Sequence, residues 1–296
     1  MLPLQKNLYM AKRIELYFPS ADKLSWLRNI SNYSFVDYEQ GSELIMLFHK
    51  IQDIESLTPI HIVTLACFID NLDRKGVKVK IKKDNEVASF LCNEVKLSEY
   101  WAGGKNYVPA SRDSIFNLWR IIDNQKEVYS RLIHDYLKKE FFHNKDLGAV
   151  KNSIDEVCYN IFDHADAKDN AFSFVKFDIT TEKLFVAVCD FGIGIATSVK
   201  NATSITCDCE AVRKAMEYKF TVGSQKHNQG MGLGNILETC FGGDEMCIVS
   251  NKAMLNANTD EIKVNKIDFY FPGTLIFYEL SLSHFEDEEI IDNFEL

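Results

Sequence analysis

Apolar positions in the first hundred residues switch between two periods. A short apolar run over 14–18 predicts a strand, and Leu24, Leu27 and Ile30 recur at helical spacing after Pro19-Ser20. Residues 43–48 predict a second strand. Thr58-Pro59 predicts a helix start, with Thr as N-cap and Pro in the first turn. Ile62, Leu65, Ala66, Ile69 and Leu72 keep one face of that helix apolar to about Lys75, and Gly76 supplies the stop. Val77, Val79 and Ile81 then alternate with Lys78, Lys80 and Lys82, the pattern of a half-buried strand with a lysine face. Such lysines most commonly keep a solvated edge from aggregating; an anionic partner is the other use.

The second part of the chain opens with helical patterns over about 111–122, 124–143 and 147–164. Strands follow over 172–180 and 183–190, then a long segment, 191–229, with a helix near 208–219. Another helix begins after Gly234, and strands are expected near 245–250, 262–271 and 274–282. Gly103-Gly104, with Pro109 close behind, is the best boundary signal and divides the chain into units 1–108 and 109–296. Residues 285–296 carry six acids and predict a solvated tail or short helix, with a docking role as the alternative.

Composition narrows the function classes. The 33 bases and 43 acids of the 296 residues give a net charge of −10, which argues against general affinity for a nucleic-acid backbone. The charge is uneven: 14 bases against 13 acids before residue 111, and 19 against 30 from there on. The run 62–69, apolar apart from Thr64, is far shorter than a membrane span. The N-terminal stretch lacks an apolar core ending in a small-residue cleavage site, so a cytoplasmic protein is expected. Eight cysteines show no C-x-x-C pair; Cys207 and Cys209 are the only close pair, and most read as buried reduced thiols rather than zinc ligands.

Three stretches carry candidate chemistry. On the helix 147–164, at about 100° per residue, Glu156, Asn160, Asp163 and His164 share one stripe. Val150, Ile154, Val157, Cys158 and Ile161 form the apolar stripe, and no Lys or Arg lies between Lys151 and Lys168. Next, the apolar strand Val186-Ala-Val-Cys ends in Asp190-Phe-Gly192-Ile-Gly194-Ile195. A carboxylate there can accept a hydrogen bond from an exocyclic amine, and the glycines let backbone approach a flat ring. The dinucleotide fingerprint fails, because position 197 is Thr rather than Gly. Third, Gln229-Gly230-Met231-Gly232-Leu233-Gly234 leads into a helix, so successive N–H groups and a helix N-terminus suit polyphosphate. Gly103-Gly104-Lys105-Asn106 is not a Walker motif.

In order and spacing, Glu156-x-x-x-Asn160-x-x-x-His164, Asp190-x-Gly192-x-Gly194 and Gly230-x-Gly232-x-Gly234 resemble the N, G1 and G2 boxes of the GHKL (Bergerat-fold) ATP-binding family. Pro272-Gly273-Thr274 resembles the start of that family's closing strand. The resemblance covers about 111–282 and implies a two-layer α/β sandwich of the histidine-kinase-like ATPase type, with ATP and Mg²⁺ bound. It implies that Asn160 ligates Mg²⁺, Glu156 orients or deprotonates the attacking group, and Asp190 reads the adenine amine. Gly192, Gly194 and Ile195 would admit the ring, and Thr274 would support its edge through a water. Gly230, Met231, Gly232, Leu233 and Gly234 would wrap the phosphates, and Lys226 or His164 would touch them. Residues 196–229 would be the ATP lid.

His134 lacks the neighbouring Pro and the following helix of a histidine-kinase phosphoacceptor, and no transducer follows the closing strand within this sequence. The smaller anti-sigma-factor-like kinases are therefore the nearest likeness, and a homodimer is expected by that analogy. The first unit is loosely similar to a STAS domain, although Ser56-Leu57-Thr58-Pro59 replaces that family's Asp-Ser-Ser/Thr-Gly turn. The expected function is a partner-switching ATP-binding regulator or serine/threonine kinase acting with a protein partner. An ATP-hydrolysing dimerisation clamp and a nucleotide-binding scaffold without turnover are the alternatives.

Overall fold

The computed structural model describes residues 12–164, 171–217 and 233–288, a mixed α/β molecule with two sheets. The first sheet is parallel, in the order β1 (Arg13–Tyr17), β2 (Glu43–Leu47), β3 (Lys78–Ile81). Parallel neighbours need crossovers; these are α1 (Lys23–Ser34) and α2 (Pro59–Arg74). Asp22 caps α1 by accepting from the Ser25 N–H at 2.8 Å. Thr58 and Pro59 start α2 as expected, and the Thr58 N–H also donates to His61 Nδ1 at 2.9 Å. Nδ1 being the acceptor, Nε2 carries the proton and donates to the Ala21 carbonyl at 3.0 Å. The chain leaves α2 through Gly76 at φ 72°. Two short helices, α3 (Glu86–Asn93) and α4 (Ser98–Trp101), follow β3; pieces so short show too few turns for a periodicity to register.

The second sheet is antiparallel, with β4 (Ile115–Ile121), β5 (Ala171–Asp178), β6 (Lys183–Asp190), β7 (Met246–Ala257) and β8 (Ile262–Ser281) in the order β4-β5-β6-β8-β7. The helix expected over about 111–122 is therefore wrong: most of it is β4. Ile115, Phe116, Asn117 and Leu118 are all buried, with Ile115 and Leu118 in one core and Phe116 and Ile121 in the other. A strand covered on both faces loses its alternation, and a register shift between Phe116 and Trp119 blurs it further. The strands expected near 262–271 and 274–282 are one continuous strand, bent at Gly273, φ 108°. β7 likewise runs past Ser250 to Ala257 through Asn251 at φ 53°.

Among the described residues, five helices cover one face of this sheet: α5 (Lys126–Glu140), α6 (Gly148–His164), α7 (Ile195–Ala202), α8 (Asp208–Ala215) and α9 (Gly234–Glu238). The first part of the segment assigned to a lid is thus α7 and α8, whose Ala196, Val199, Ala211 and Val212 belong to the core. On the opposite face, Phe172, Phe174, Ala187, Cys189 and Leu275 pack with Ile62, Val63, Leu65 and Ala66 of α2. Every residue of α2 from Pro59 to Asp70 is buried, because the helix lies between the two sheets rather than on one. Asp70 ties this seam: it accepts from Arg74 Nε at 2.7 Å, Arg120 Nη2 at 3.1 Å and Trp101 Nε1 at 3.3 Å. The Arg120 guanidinium also lies over the rings of Trp101 and Phe172.

All eight cysteines are free thiols; Cys67, Cys158, Cys189, Cys240 and Cys247 are buried, whereas Cys207 is exposed. Among the described residues no His/Cys/Asp/Glu group is arranged to hold a metal, and no helix is long and apolar enough to cross a membrane. The acidic C-terminal stretch begins as extended chain rather than helix: the Glu288 N–H donates to the Asn144 carbonyl and the Asp146 N–H to the Glu286 carbonyl. Residues 289–296 lie outside the described residues.

Candidate functional site

β6 lies between β5 and β8, and its apolar run delivers Asp190 as its last residue, opposite Thr274 of β8. The Asp190 side chain is fully buried. Its Oδ1 accepts from the Gly192 N–H at 2.7 Å, while Oδ2 has no hydrogen-bond partner among the described residues. Burial pushes the carboxyl up to about 8, opposed by the backbone N–H groups of Gly192 and Thr274. Near neutral pH the group is mostly the neutral acid, and a donor reaching Oδ2 would favour the carboxylate.

The turn after Asp190 is held by hydroxyls from two strands. Gly194 is the N-cap of α7 at φ 81°. The first N–H groups of a helix have no partner within it; here Ile195 N–H donates to Thr274 Oγ1 at 3.0 Å and Ala196 N–H to Ser250 Oγ at 3.2 Å. Ser250 Oγ in turn donates to the Gly273 carbonyl at 3.1 Å. A Cβ on Gly194 would lie 2.6 Å from Ser250 Oγ and 2.7 Å from the Gly273 carbonyl oxygen. A Cβ on Gly273 would lie 2.2 Å from the Asp190 carbonyl oxygen. Both glycines are therefore demanded by backbone approach as well as by positive φ. Asn251 Nδ2 donates to Thr197 Oγ1 at 2.6 Å, and its buried Oδ1 is a second acceptor beside this turn without a donor among the described residues.

On α6, Glu156 is buried and Asn160 half-buried. The Asn160 amide nitrogen donates to Glu156 Oε1 at 2.6 Å and to the Glu156 carbonyl at 2.8 Å. That i, i+4 pairing leaves the amide oxygen as the acceptor Asn160 presents elsewhere. α6 shares the covered face of the sheet with α7 and α9, and Ser153 Oγ lies 3.4 Å from Thr239 Oγ1 just beyond α9. Leu233 is buried, and a Cβ on Gly234 would meet the Met216 carbonyl oxygen at 2.7 Å; that glycine allows α9 to start against the end of α8.

Asp190, Gly192, Gly194, Ile195 and Thr274 thus form one hydrogen-bonded unit, and Glu156 and Asn160 meet each other on a helix of the same face. Thr274 spends its hydroxyl as an acceptor for the turn. Lys226, Gly230, Met231 and Gly232 lie outside the described residues, as does the side chain of His164, the last residue of α6. Ser250 and Asn251 had no signal in the sequence beyond their place at a strand end, and Gly273 stood beside Thr274 without an assigned role. Compared with known proteins, the chain matches no family model, no curated protein and no solved structure.

Proposed function

We propose that this chain is an Mg-ATP-binding regulator of GHKL type, whose nucleotide state or serine/threonine kinase activity governs a bound protein. The observation that carries the nucleotide site is Asp190: a fully buried carboxyl with one oxygen lacking a donor, at a turn that tolerates no side chain at Gly194 or Gly273. An exocyclic amine would supply the missing N–H. Thr274 and Ser250 fix the turn through their hydroxyls, which holds the Asp190 carboxyl in a set position.

Asn160 offers its amide oxygen to Mg²⁺, because Glu156 holds its amide nitrogen. The metal, when held by Asn160, would offset the charge of the phosphates. Glu156, one helical turn away, is the base that would orient or deprotonate the attacking water or hydroxyl. Leu233 and Gly234 would lead from the phosphate-wrapping glycines into α9. The three-stranded unit with α1 and α2 would be the STAS-like regulatory part, its α2 already seated on β5 and β6.

The test combines calorimetry with turnover. ATP should bind with a Mg²⁺ dependence, and Asp190→Asn should weaken it roughly ten- to a hundredfold, the loss of one charge-assisted bond. Transfer of label from γ-labelled ATP to a co-purified protein supports the regulator. Phosphate release without transfer, abolished by Glu156→Gln, favours the dimerisation clamp. An affinity that Asp190→Asn leaves unchanged rejects the adenine slot.

A further inference from the structure

We infer that the open edge of β3 is a docking site for an extended, acidic segment of a partner protein. This stands apart from the nucleotide site and needs no nucleotide for its test.

Among the described residues β3 has a neighbour, β2, on one side only. The Lys78 N–H donates to the Ser42 carbonyl at 2.8 Å and the Lys82 N–H to the Met46 carbonyl at 3.1 Å. Along a parallel strand, successive residues point their main-chain groups to opposite sides. Lys78, Lys80 and Lys82 therefore serve the β2 ladder, and the N–H and C=O groups of Val79 and Ile81 aim at the open side.

That side is not plain solvent. A cleft of about 530 Å³ runs along it, floored by Val77, Val79 and Ile81 of the strand region and Ile69 of α2, and closed by Leu97 and Trp101 at α4. Lys78, Lys80 and Lys83 also line it, against Asp73 as the one acid. Lys80 is paired with Glu43 at 2.5 Å, whereas Lys78 and Lys83 have no ion pair among the described residues. A strand edge kept soluble by lysines needs no apolar cleft beside it. A small apolar molecule would fill the cleft but leave the Val79 and Ile81 main chain unanswered.

An extended segment satisfies all of these at once. It pairs with the free main-chain groups, sets alternate side chains on the apolar floor and brings its acids to Lys78 and Lys83. The four residues of β3 span about 13 Å at roughly 3.3 Å each, which fixes the recognised core at four to six residues.

The experiment uses the full chain and a fluorescent, end-blocked hexapeptide alternating Val and Glu, followed by anisotropy. Its comparators are a Val/Lys hexapeptide, a Val/Glu hexapeptide with N-methylated amides, and dodecanoate. Saturable binding of the Val/Glu peptide is expected. It should weaken at least tenfold on N-methylation and in the double variant Lys78→Glu, Lys83→Glu, whose exposed side chains can change without disturbing the fold. Val79→Pro, which removes an outward N–H but no bond to β2, should weaken it too. No saturable binding at millimolar peptide overturns the proposal, as does equal binding to wild type and the charge-reversed variant. Undiminished binding of the N-methylated peptide, or of dodecanoate in place of the peptide, does the same. A dimer in sedimentation that the charge reversal dissolves would make a second copy the occupant and also overturn it.

Discussion

Replacing Asp190 by Asn should change how stability depends on pH. In the folded protein burial raises this carboxyl from 3.8 to about 8. The native state therefore keeps a proton that the unfolded chain releases above about pH 4. The stability this confers is complete below the unfolded value and is lost as pH rises toward about 8, at about 1.4 kcal/mol per pH unit. Between about pH 5 and about pH 7.5 the loss amounts to roughly 3 kcal/mol. Asn cannot titrate, so the variant lacks this slope. It keeps the acceptor for Gly192 and places an amide nitrogen where Oδ2 stood; that change is fixed and independent of pH.

His61 works in the opposite direction, since burial lowers it to about 4 and stability falls as pH drops from 6.5 toward that value. Both proteins share His61, and it cancels in their difference. Urea unfolding followed by tryptophan fluorescence, across that range, should show the variant gaining on wild type by roughly 3 kcal/mol as pH rises. Parallel stability curves would refute the claim that Asp190 is held neutral by burial. The same proton should couple to ligand: adenosine affinity should rise up to tenfold per pH unit below about 8 and level off above it. A flat profile would reject Oδ2 as the acceptor of the adenine amine.

Other changes probe the supports of the site. Gly273→Ala combines φ 108° with a 2.2 Å approach to the Asp190 carbonyl and should cost about 3 kcal/mol or more. Gly104→Ala, at φ 63° with open space around it, should cost only about 1–2 kcal/mol in the same unfolding assay. Asp70→Ala strands Arg120 in the seam between α2 and the second sheet, and chemical denaturation should register a loss of about 3–5 kcal/mol; under 1 kcal/mol would mean that the pair is effectively solvated. Asn160→Ala should abolish the Mg²⁺ dependence of ATP binding in calorimetry, and a dependence that survives removes Asn160 as the ligand.

The apolar patterns were informative where one face of an element meets the core. α1, β1, β2, β3, α5 and α6 follow from them almost directly, and Thr58-Pro59 and Gly76 bracket α2 because capping chemistry is local. The same patterns misled at β4, where burial on both faces produced a spacing that passes for a helix. They also split β8, because Gly273 looks like a turn when it is a bend inside a strand.

For the site, the sequence by itself determined the chemical groups and their order: a carboxyl ending an apolar strand, two spaced glycines, and an acid and an amide one helical turn apart. Tertiary structure alone decided that Thr274 and Ser250 hold the start of α7, that Gly273 lies against Asp190, and that one carboxyl oxygen is left without a donor. It alone placed α2 between two sheets and left a β3 edge facing an apolar cleft. The physical reason is range. Capping, helical phase and strand alternation act over a few neighbouring residues, whereas burial, and the proton it retains on Asp190, depends on segments more than fifty positions apart meeting at one point.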